Sequence, residues 1–153
     1  MQSFRTYIYL ILVIVTKSLI AEEAVLNTDV QLQWQGIQRW TLPQGYRDVL
    51  HFEQAIYPHE NQLPVFNKRF VADKSFNYQV NLKNTVFEAV TQAEAELLQT
   101  KNIFQQIPQV ESSILNERGS TYLDVQISPV VLKNGNFEKL TSFTLELTKS
   151  AKP

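Results

Sequence analysis

Cysteine is missing from the 153-residue sequence, histidine occurs twice and glycine four times. Without cysteine there is no disulfide, no thiolate nucleophile, no Cys-containing zinc site and no lipidated lipoprotein cysteine. The scattered glycines never form G-x-G-x-x-G or a P-loop, so the common phosphate cradles are absent. Positive charge is not in excess either: 14 Lys plus Arg stand against 15 Asp plus Glu, a net charge of -1. A chain of that balance has little with which to track a phosphate backbone, which argues against nucleic-acid binding. What is present is apolar content of 44%, enough for a packed core and, at this length, for one domain.

Residues 1–21 read as a signal peptide. Arg5 precedes an apolar run of nine residues, Tyr7 to Val15, which Lys17 ends. Nine helical residues at about 1.5 Å each fall far short of about 30 Å of hydrocarbon, so no permanent membrane span is expected. Ala21 supplies a small residue for cleavage, and the acidic pair Glu22 and Glu23 follows. The expected product is an exported domain, residues 22–153, bound for the periplasm, outer membrane or cell surface. Removing the segment takes Arg5 and Lys17 with it and leaves the domain more acidic.

From residue 29 the chain alternates. Val30, Leu32 and Trp34 are apolar between Asp29, Gln31, Gln33 and Gln35, the period of a strand with one wet face. The same pattern recurs at Phe76 to Leu82, Leu123 to Ile127 and Phe143 to Leu147. Parallel strands between helical layers read as continuous apolar runs, so this alternation predicts antiparallel sheet. Weaker strands are expected at 48–54, 65–71 and 110–115. Asn134-Gly135, between Val130-Val131-Leu132 and the Phe143 strand, suits the positive φ angles of a tight hairpin. One helix is predicted near 91–100, because Thr91 and Glu94 have capping-box spacing and Ala93, Leu97 and Leu98 give an apolar stripe. Several alternating strands need a second layer over their apolar faces, and one short helix cannot provide it. The predicted fold is mainly β: an antiparallel two-sheet sandwich with one short helix.

Catalytic and metal constellations are weak. His51 and Glu53 form an H-x-E triplet without the cysteine pair that a zinc deaminase needs. His59-Glu60 lies in a turn-rich loop, eight residues from His51 and without H-E-x-x-H spacing. Asp48, His51 and a serine could be written as a triad, yet no G-x-S-x-G elbow presents a nucleophile. Neither a cofactor nor a metal is expected, and the chain reads as a non-enzyme. Trp34 falls on the apolar side of its strand and belongs to the core. Trp40 has no such clear facing; with Tyr46 and Tyr57 it makes the candidate contact for a ligand or partner.

Several short motifs carry a resemblance. They are Glu117-Arg118-Gly119-Ser120-Thr121-Tyr122 with Pro129 after the next strand, Asn134-Gly135, and the run from Lys139 to Leu147. Phe52-Glu53-Gln54-Ala55 and Leu63-Pro64-Val65-Phe66 add an earlier pair. Together they resemble the region preceding the peptidase domain in PorU-type sortases of the type IX secretion system, members of the gingipain-like cysteine peptidases. The resemblance covers about residues 28–148 and includes no site motif. In that family a His and Cys pair in a later domain cleaves a C-terminal sorting signal and attaches cargo to surface lipopolysaccharide. The resemblance therefore implies a non-catalytic accessory or prodomain-like domain, either a fragment, a truncated product or a stand-alone copy. Its partners would be a downstream peptidase domain or other secretion-system proteins. The alternative from a different class is a cell-surface carbohydrate-binding or adhesin-like β-sandwich that uses Trp40 and the neighbouring tyrosines.

Overall fold

A computed structural model describes residues 23–60, 62–103 and 105–153, so the expected signal peptide lies outside the described residues. The chain runs β1 (Glu23–Gln31), β2 (Trp34–Leu42), β3 (Gly45–Phe52), β4 (Phe66–Val71), β5 (Phe76–Ala89), α1 (Gln92–Gln99), β6 (Gln109–Glu117), β7 (Ser120–Ser128), β8 (Val130–Lys133) and β9 (Asn136–Ala151). Every strand pairing is antiparallel. Among the described residues no helix is long and apolar enough to cross a membrane.

Three sheets result. β9 is the spine of the larger one, with β5 along one side and, on the other, β8 beside its first half and β1 beside its second. The second sheet has the order β4-β7-β6, and β2 with β3 forms a separate two-stranded ribbon. The two larger sheets face each other as a sandwich. Leu123, Val125 and Ile127 of β7 meet Leu140, Phe143, Leu145 and Leu147 of β9 in one buried cluster. Phe66 of β4 meets Phe143 edge to face across the gap, with ring centres 5.5 Å apart. The period-two code explains this directly, since alternate residues of each strand point into the same core.

The alternation from Val30 to Trp34 is not a single strand. The chain leaves the β1–β9 ladder after Gln31 and enters the ribbon at Trp34, while the Leu32 amide still donates to Thr141 O at 2.8 Å. Val30, Leu32 and Trp34 all pack on the core, so the apolar pattern persists although the sheet partner changes. Two-residue turns close the β6–β7 and β8–β9 hairpins, with Arg118, Gly119, Asn134 and Gly135 all at positive φ. That is the geometry for which Asn-Gly is suited.

The helix forms as its capping box predicts. Thr91 Oγ1 accepts from the Glu94 amide, and Glu94 Oε2 accepts from the Thr91 amide at 2.8 Å. Its inward face differs from the expected stripe: Leu98 is buried beside Leu50, Leu63, Ile103 and Val130, but Ala93 is exposed and Glu94 is buried in its place. Lys139 of β9 makes that exchange workable, placing its ammonium 2.9 Å from Glu94 Oε1.

Candidate functional site

The aromatic candidates gather around the β2–β3 ribbon. Its register pairs Trp40 with Arg47, Thr41 with Tyr46 and Arg39 with Asp48. Alternation then puts Trp40, Arg47, Val49 and His51 on one face and Arg39, Tyr46 and Asp48 on the other. Tyr57 reaches the Trp40 face from the following loop, which an Ile56–Val65 bridge ties down. The structure therefore brings Trp40 and Tyr57 together and sends Tyr46 to the opposite side.

Trp40 and Tyr57 meet edge to face, ring centres 4.6 Å apart and planes at 80°. The Tyr57 hydroxyl donates to Leu50 O at 2.9 Å and lies 2.7 Å from His51 Nδ1. A carbonyl only accepts, so the hydroxyl proton is committed to Leu50 and the His51 contact must be an Nδ1–H donating to the tyrosine oxygen. Burial pushes the Tyr57 phenol up to about 12. On the other face Tyr46 is 67% exposed, and the Arg39 guanidinium lies 4.1 Å above its ring. Arg39 also grips Asp48 with two bonds of 2.8 and 2.9 Å, and this holds the Asp48 carboxyl below its usual range. The fork fixes the guanidinium plane that stacks on Tyr46.

No catalytic or metal assembly emerges among the described residues. Asp48 and His51 project from opposite faces of β3, so they cannot share a triad. Glu53, His59 and Glu60 are exposed, and no three His, Asp or Glu side chains converge as metal ligands among the described residues.

Two features were invisible in the sequence. One is the Glu94–Lys139 pair, whose members are 45 positions apart. The other is a groove of about 540 Å³ on the outer face of the larger sheet, lined by the polar residues Asp29, Gln31, Asn84, Ser142 and Thr144 and, between them along the strands, by Val30 and Phe143. Only the polar phase of the β1 and β9 alternation pointed to that face, and nothing marked the irregularity in β5 that opens it.

No known protein family matches the sequence, and no curated protein matches it. The fold does have relatives among solved structures. The complex of the pro- and mature domains of RgpB from Porphyromonas gingivalis matches with a TM-score of 0.57 over 88% of this chain and 82% of that chain, at 14% identity. A structure of gingipain K from the same organism, solved for its zymogenic latency, matches with a TM-score of 0.55 over 83% of this chain and 100% of that chain, at 11% identity. The chain thus has a fold similar to that of the gingipain pro-domains.

Proposed function

We propose that this is a non-catalytic, prodomain-like β-domain that docks on a gingipain-like cysteine peptidase domain, within an exported sortase of the PorU type. The observation that carries the reading is the fold likeness across 88% of the chain to a protein solved as a complex of pro- and mature domains. The hairpin and strand motifs, the signal-peptide pattern at residues 1–21 and the absence of cysteine agree with it. A domain of this kind acts through a complementary surface, without a reactive side chain.

The ribbon supplies the contact. Its tip from Thr41 to Arg47 is largely exposed and carries Tyr46 backed by Arg39, residue types enriched where interfaces concentrate their energy. Trp40 and Tyr57 brace it from the other face. A flat aromatic platform for sugar stacking would need the three rings on one side, and Tyr46 lies on the opposite face from the other two.

Biolayer interferometry against the gingipain-like peptidase domain of the same source tests this reading. Saturable binding that Tyr46→Ala weakens by about tenfold or more is expected, the scale of an interface hot spot. Absence of binding at high micromolar concentration would reject docking.

A further inference from the structure

The outer face of the larger sheet carries a second binding site, and we infer that its ligand is a neutral, polyhydroxylated chain, a glycan. This inference does not depend on peptidase docking and uses a different surface. Asp29 stands opposite Thr144 and Gln31 opposite Ser142 across the β1–β9 ladder, so their side chains project together from the wet face. On the far side of β9, β5 breaks register between Lys83 and Val86, and Asn84 takes a left-handed φ of 51°. The bulge swings the Asn84 amide across toward β9, where Nδ2 donates to Thr144 Oγ1 at 3.2 Å. Thr144 passes the connection on, its hydroxyl donating to Asp29 Oδ1 at 2.7 Å.

The chemistry is specific in type. Gln31, Asn84, Ser142 and Thr144 offer both donors and acceptors without net charge, and Asp29 keeps Oδ2 as a free acceptor. Paired donors and acceptors in a groove suit a ligand whose hydroxyls can give and take hydrogen bonds. The volume of about 540 Å³ lies within the range of about 300–1,000 Å³ typical of small-ligand sites. Val86, opposite Ser142 and 53% exposed, adds an apolar rim on which the C–H face of a sugar ring can rest. An anionic ligand is disfavoured, because Asp29 lies in the groove and the nearby Lys83 is already paired with Glu146.

The same face continues along β9 into a second depression beside Gln79, Thr148 and Ser150. Thr148 Oγ1 is the buried side-chain polar atom left without a partner among the described residues. Two depressions in line on one strand favour a chain of linked units over a single compact molecule.

The test is titration of the 15N-labelled protein with maltohexaose, cellohexaose, a mannohexaose and a sulfated chondroitin hexasaccharide. At least one neutral sugar should bind saturably and shift the amides of Gln31, Asn84, Ser142 and Thr144. Asn84→Gly keeps the left-handed backbone while removing the amide. It and Gln31→Ala should each weaken binding about three- to tenfold, the worth of one neutral hydrogen bond. Trp40→Ala should leave affinity unchanged. Failure of every neutral sugar at millimolar concentration would show an ordinary solvated sheet face and overturn the inference. So would shifts centred on Trp40 and Tyr57, preference for the sulfated sugar, or full affinity in both groove variants.

Discussion

Lys139 and Glu94 form an ion pair of 2.9 Å in which both residues are almost sealed from water, at 6% and 3% exposure. The pair ties the only helix among the described residues to the central strand of the larger sheet. Glu94 has two tasks, accepting from the Thr91 amide to cap the helix and neutralising Lys139. Lys139 also lies 5.4 Å above the Trp34 ring and 3.2 Å from the exposed Glu88.

Removing one partner should cost more than removing both. Lys139→Met strands a buried carboxylate and is expected to lower stability by about 3–5 kcal/mol. The double variant Glu94→Gln with Lys139→Met should recover much of that loss, because an amide still caps Thr91 and no charge is left buried. Urea unfolding of the three proteins measures both. Equal losses in the single and double variants would contradict this account.

The same carboxylate sets an acid limit. Burial raises the Glu94 pKa, but the Thr91 amide and Lys139 more than offset it, so the folded value lies below the reference of 4.5. A depressed folded value gives stability that is present above pH 4.5 and lost as pH falls through the folded pKa. Thermal unfolding should therefore drop more steeply below pH 4.5 in the wild type than in Glu94→Gln.

At the alkaline end Tyr57 takes over. Its folded value of about 12 exceeds the reference of 10.0, so neutral Tyr57 stabilises the fold below pH 10 and this contribution disappears toward 12. Absorbance at 295 nm should show a late-titrating phenol that Tyr57→Phe removes. The same variant leaves Leu50 O and the His51 Nδ1–H without their partner, at a cost of about 1–3 kcal/mol.

The β6–β7 and β8–β9 hairpins differ in how well their turn residues suit them. Asn134-Gly135 accepts positive φ readily, whereas Arg118 is a long side chain held at φ 49°. Arg118→Asn should therefore stabilise the protein by about 0.5–1 kcal/mol, and Gly119→Ala should destabilise it by a similar amount. The Gly119 site has open space for a Cβ, so the second effect reports backbone strain alone.

The β-rich class, the helix and the Asn134-Gly135 hairpin were legible because each depends on local signals: period-two alternation, a four-residue cap and a turn dipeptide. The break between β1 and β2 was not, since Val30, Leu32 and Trp34 stay in phase while the partner strand changes. Nor was the burial of Glu94 over Ala93, because the compensating lysine comes from a strand far along the chain. Trp40, Tyr46 and Tyr57 are close in sequence, yet strand register decides which faces they share, and register is a tertiary property. The groove depended on the β5 bulge, which no residue type announced.

Under the proposed export, the central place of β9 orders the events of folding. β1, β5 and β8 all hydrogen-bond to β9 and not to one another, so the larger sheet has no template until residues 136–151 are available. Glu23 must wait for Lys149, a closure that spans nearly the whole domain. A chain threading a membrane from its N-terminus would keep β1 and β5 unpaired, and hence extended enough to pass, until the spine strand emerges on the far side. The arrival of β9 would then complete the larger sheet, the one layer of the fold that cannot form ahead of it, whereas the β2–β3 ribbon and the β4-β7-β6 sheet pair without it.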